Sequence, residues 1–363
     1  MPQTAATKLR PSRFARYLLS AYWLLIVYGS LYPFSGWRDQ GLSPFEFLLM
    51  PLPRWYTGFD VAVNIAAYFP FGFLIVVAGT PRLRGRAAYV AATLLAGITS
   101  VALECLQNYL PDRIPSNLDV AANIVGAFLG AIVGGTASRW LVERRGLSTL
   151  RDRLFLPGAS VDLGLVLVAL WLFTQLNPAT LLFGNGDLRE FFAGAATELY
   201  AAEMFVRVEA SVAAANIVAL AALVAVLVGP AQRRRALILA VIAAALATHT
   251  LAFAILFSPQ EMLAWLTPGA TAGLATGIVV ALIIVALPRP WAVALCGLAL
   301  MAATAFVNLA PGNPYQAQSL AAWPQGHFLN FNGLTRLVSA LWPFATLAYL
   351  LAVVTRARAG SGE

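Results

Sequence analysis

The sequence predicts an all-α fold, a polytopic integral membrane helix bundle of about ten transmembrane helices, and three observations predict it. The 363 residues are 60% hydrophobic and 11% charged, with a mean hydropathy of +0.75, far outside the range of soluble globules. Apolar stretches of about 20 residues, long enough to cross the hydrocarbon core as helices, recur along the chain between short polar breaks. With the N-terminus set in the cytoplasm and the spans alternating, 18 of the 24 Lys and Arg residues fall on inner segments. That asymmetry fits the positive-inside rule and places both termini in the cytoplasm. The net charge of +8 is therefore a topology signal and excludes a nucleic-acid partner as its explanation.

Taken in order, residues 1–15 form a basic N-terminus and 16–34 the first span, which lacks a small-residue cleavage site and is too long for a signal core, so it reads as a retained helix. Spans 61–79, 87–109 and 118–137 complete a four-helix unit over 16–137. Within the second of them Pro70 removes a backbone hydrogen bond, which predicts a kink. A basic linker, 138–158, leads to spans 159–177, 211–229, 236–257 and 269–287, a second, degenerate four-helix unit. Its outer segment 184–211 sets Leu188, Phe191, Phe192 and Leu199 among charged neighbours and reads as an amphipathic surface helix or a solvated connector. Spans 291–310 and 335–354 form a C-terminal hairpin within 288–355, before a short tail, 356–363.

The division into units rests on a weak internal repeat. DVAVNI at 60–65 recurs as DVAANI at 119–124, and VAAANIV at 212–218 keeps Asn216 but replaces the aspartate with Val212. The outer ends of spans one, five and nine each stop at a proline, in SLYPFSGW, QLNPATLLF and NLAPGNPY. Both four-helix units begin inside, so they would be parallel repeats. Spans seven and eight carry no counterpart of Glu104 or Asp119, Glu261 between them lying in the loop.

Those acids fall in a polar stretch. Residues Glu104 to Asp119 hold three carboxylates, one arginine, three amides and a serine. Side chains three or four residues apart share a helix face, which pairs Asp60 with Asn64, Glu104 with Gln107 and Asn108, and Asp119 with Asn123, all at the outer ends of their spans. Arg113 lies in the turn LPDRIPSN and suits a carboxylate or phosphate in two-pronged geometry. Ionisable groups set into a bilayer are functional by default. Capping of helix starts accounts for Asp60 and Asp119 as well as catalysis does. It does not account for Glu104, near the end of span three where the helix dipole disfavours an anion. A clasp to Arg113 and action on a substrate both remain open for Glu104. Asn64 and Asn123 suit hydrogen bonds between helices, while Gly126, Gly130 and Gly134 suit close helix packing.

The runs DVAVNIAAYFPFGFL, ECLQNYLPDR and SNLDVAANIVGAFLG together resemble the VanZ-like family of bacterial membrane proteins, over roughly residues 16–137. The family's motif positions fall on Asp60, Asn64, Pro70, Gly72, Glu104, Gln107, Arg113, Asp119, Asn123 and Gly126. The resemblance implies a cell-envelope role in the bacterial inner membrane, and the family's named member is associated with low-level resistance to the lipoglycopeptide teicoplanin. The six additional spans set this chain apart from the short members. Cys105 and Cys296 are isolated, His249 and His327 are separated, and no HExxH, GxSxG or Walker sequence occurs. No cofactor or metal is expected. The aromatics of the last outer loop, 311–336, suit interface anchoring. The expectation is a polar outer-leaflet site for an amphiphile, a membrane lipid, lipid-linked envelope precursor or lipoglycopeptide. Its alternatives are a lipid transporter or flippase and an enzyme acting on a lipid headgroup.

Overall fold

The computed structural model describes residues 12–53, 55–138, 151–189, 202–229, 231–256, 259–310 and 329–359. Among them the protein is helical without a strand: α1 Arg13–Leu31, α2 Gly58–Gly79, α3 Gly85–Gln107, α4 Asn117–Ser138, α5 Ala159–Thr174, α6 Ala202–Leu227, α7 Ala231–Leu256, α8 Pro268–Ile284, α9 Arg289–Leu309 and α10 Leu329–Ala359. Each of the ten apolar stretches coincides with one of these helices. Eight are long and apolar enough to cross a membrane, whereas α5 and α8 have only 16 and 17 residues. The protein is thus a polytopic helical membrane protein. The chain divides into two compact units, Met1–Arg153 and Leu154–Glu363.

Helix boundaries follow from local chemistry. Ser12 caps α1 by accepting from the Ala15 N–H at 3.2 Å, and Thr57 and Asp60 cap α2 reciprocally. Pro70 does not end α2, which continues to Gly79. α5 stops at Thr174, short of the expected 177, because the chain turns there: Asn177 Oδ1 accepts from the Ala179 N–H across Pro178. α6 begins at Ala202, nine residues before the expected 211, so the last part of the amphipathic segment is continuous with the helix. The rest of that segment, from 190, and residues 311–328 of the last loop lie outside the described residues.

In the N-terminal unit α2 and α4 meet backbone to backbone. A Cβ on Gly126 would strike the Ile65 backbone, one on Gly130 the Phe69 backbone, and one on Gly72 the Ala127 backbone, while Gly134 approaches the Phe73 carbonyl to 2.9 Å by the same measure. α3 closes the unit with a stripe of Ala88, Ala92, Ala96, Ser100 and Glu104 and leaves Val90, Leu94 and Ile98 exposed. Small residues inward and large apolar ones outward is how helices associate in lipid, where tails solvate leucine as well as a core does.

In the C-terminal unit α6 is the central helix, with Leu220 to Val228 all nearly inaccessible, packed against α8 and α9. The helix ends there are tied by Arg234, which donates to the carbonyls of Val228, Val285 and Leu287 at 2.8–3.1 Å. α10 lies along α5, and Trp342 Nε1 donates to the Leu167 carbonyl at 2.7 Å.

Candidate functional site

One end of the N-terminal unit gathers the C-termini of α1 and α3 and the N-termini of α2 and α4, and the polar side chains converge there. The turn after α3 folds the start of α4 back onto the last turn of α3. Glu104, only 5% exposed, accepts from the Ser116 N–H through Oε2 at 2.9 Å. Ser116 Oγ in turn accepts from the N–H groups of Leu118 and Asp119 at 3.2 and 3.3 Å. Glu104 therefore sits badly with the dipole of its own helix and well with that of α4, whose free N–H end it faces. It acts as a cap supplied from a neighbouring helix.

Arg113 does not clasp Glu104: no ion pair within 4 Å joins them. Its Nη2 donates to the carbonyls of Gly29 and Tyr32, at 3.2 and 2.9 Å, the free acceptors at the end of α1. Burial lowers its pKa, and the nearby Glu104 and Asp112 charges oppose that shift, but a guanidinium stays charged regardless. Gln107 braces α1 as well, with Nε2 donating to the Ser30 carbonyl at 2.9 Å. Asn108 holds the loop after α1, donating to the Leu42 carbonyl at 3.3 Å while its own carbonyl accepts from Gln40 at 2.7 Å.

Because Ser116 and Glu104 cap α4, the Asp119 carboxylate has a different task. It stands beside the Asn64 side chain and close enough to Asp60 for the two charges to repel. Asp60 is exposed and serves the α2 cap, with Oδ2 accepting from the Thr57 N–H at 3.0 Å and the Thr57 hydroxyl at 2.7 Å. Asp119 and Asn64 are half-buried. These three side chains form a rim above the α2–α4 crossing.

Asn123 lies one turn deeper and donates to Ser100 Oγ at 2.9 Å, while the buried Tyr68 stands beside Ser100. Tyr68, Ser100 and Asn123 thus gather where α2, α3 and α4 meet. Ser100 and Tyr68 were missed by sequence reasoning, although each stands four residues from a residue singled out there, Glu104 and Asn64, and so on the same helix face. No group of three His, Cys, Asp or Glu side chains that could hold a metal occurs among the described residues.

Around the rim, Leu49, Trp55 and Ile114 are 92%, 93% and 89% exposed. The rim is thus bordered by apolar side chains on the turns beside it, an arrangement suited to a boundary between headgroups and hydrocarbon.

A search of curated proteins returned no match, and a search of solved structures returned none either. Residues 9–137 match the family model described as VanZ/LLP1. The matched segment runs through the Arg113 tie, the Glu104 cap and the Asp60–Asn64–Asp119 rim and stops in the last turn of α4. The protein is a multi-pass membrane protein whose N-terminal four helices are VanZ-like.

Proposed function

We propose that the VanZ-like unit binds the polar headgroup of an amphiphilic cell-envelope molecule, a lipid-linked precursor or a lipoglycopeptide, at the outer leaflet of the bacterial inner membrane. The observation that carries this reading is the Asp119 carboxylate, which the α4 cap does not use and which stands half-exposed with Asn64 beside Asp60. Two acids and an amide suit hydroxyl or amine groups of a headgroup. Arg113, whose Nη2 is tied to the end of α1, supplies at the same end of the unit a guanidinium suited to an anionic portion. The exposed Leu49, Trp55 and Ile114 suit the apolar part of the same molecule. The distribution of basic residues assigns this end to the outer face.

The test is native mass spectrometry of the full chain purified in detergent with its co-purifying lipids. Wild type is set beside Asp119→Asn and Glu104→Gln, after a thermal-unfolding check that all remain folded. Asp119→Asn should lose the bound amphiphile about tenfold, the effect of one charge-assisted hydrogen bond. Glu104→Gln keeps an acceptor for Ser116 and should retain it. Equal retention by a folded Asp119→Asn protein rejects the rim as the binding site.

A further inference from the structure

A groove of about 350 Å³ runs between α5 and α10 in the C-terminal unit. Leu163 and Leu170 line one wall, Ala345 and Ala352 the other. Leu163, Ala345 and Ala352 are exposed, so the groove opens sideways toward lipid. The two helices run antiparallel, since Gly164 meets Tyr349 and Leu167 meets Trp342. One end of the groove is therefore marked by Ser160 and Arg356.

We propose that this groove holds one acyl chain of an anionic glycerophospholipid, with its phosphate at Arg356. Three observations select that occupant. The wall from Ser160 to Leu170 rises about 15 Å at 1.5 Å per residue, which is half of a hydrocarbon core of about 30 Å, so its depth is that of one leaflet. Arg356 is exposed at the mouth and has no ion-pair partner among the described residues. Arg356 thus gives the mouth a positive charge beside the Ser160 hydroxyl. The Tyr349 hydroxyl, in a side chain 9% exposed, has no hydrogen-bond partner among the described residues, and a lipid ester oxygen entering beside it would supply one. A basic residue at a headgroup boundary favours anionic over zwitterionic lipid.

The full chain, delipidated by detergent exchange, is titrated with phosphatidylglycerol and, separately, phosphatidylcholine, and bound lipid is counted by native mass spectrometry. Arg356→Glu should lower phosphatidylglycerol retention about tenfold and leave phosphatidylcholine unchanged, with Arg356→Gln intermediate. Ala352→Trp, a lipid-facing change that fills the groove, should lower retention of both. Wild-type retention of phosphatidylglycerol by both Arg356 variants overturns the headgroup assignment, and wild-type retention by Ala352→Trp overturns the groove.

Discussion

In the N-terminal unit, Gly126, Gly130 and Gly134 bring α4 onto the backbone of α2. In the C-terminal unit, Gly269, Gly273 and Gly277 bring α8 onto α6. The contacts differ in part. Gly126 and Gly130 face the main chain of Ile65 and Phe69, and Gly273 likewise faces the main chain of Ala210, whereas Gly277 faces mainly the side chain of Ile217 and Gly269 mainly that of Glu209. The ends differ as well. Asn64 stands beside Asp119, but Asn216, its counterpart in the repeat, turns back to its own helix at the Val212 carbonyl, 2.9 Å away. Glu209 stands beside Thr267, the residue that caps α8. Close crossing by glycines therefore works without an aspartate pair, so holding the helices together does not explain why Asp60 and Asp119 stand side by side. That supports a role for the rim beyond packing.

The comparison breaks first at the glycines. Gly130→Ala should cost about 3 kcal/mol because an added Cβ would overlap the main chain of α2, and Gly277→Ala about 2 kcal/mol because an added Cβ meets Ile217 and the Ala214 main chain less closely. Thermal unfolding in detergent ranks the two, and equal losses would show that the crossings tolerate crowding alike. The arginines come next. Arg113→Ala frees two carbonyls at the end of α1, and Arg234→Ala frees three at the ends of α6 and α8, each change costing about 2 kcal/mol. Hydrogen exchange should rise in the last turn of α1 in the first variant and in the last turns of α6 and α8 in the second. A rise spread over the whole unit would mean that these are not local ties. Lysine should restore less than half at either position, because an ammonium lacks the planar fork. The smallest effect separates the asparagines. Asn123→Leu loses the bond to Ser100 and should cost about 0.6 kcal/mol. Asn216→Leu loses only a bond within its own helix and, like Asn123→Leu, removes a buried oxygen without a partner among the described residues, so its stability should stay level or rise, as calorimetry of the two variants would register.

The ten helices were legible in the sequence because a bilayer makes a simple demand: each crossing must satisfy its own backbone and present about 20 apolar residues. The glycine spacing of α4 and the helix starts at Asp60 and Ser116 were legible for the same reason, as both depend on near neighbours in the chain. What the polar residues bond to was not. Glu104 looked misplaced at the end of α3 until the turn at 110–117 set the N-terminus of α4 against it, and Arg113 looked like its partner until the carbonyls of α1 stood nearer. Those outcomes depend on which helix ends meet in space. A charge set into a low-dielectric bundle goes to whichever unsatisfied backbone group the packing brings within reach, and only the tertiary structure decides which group that is.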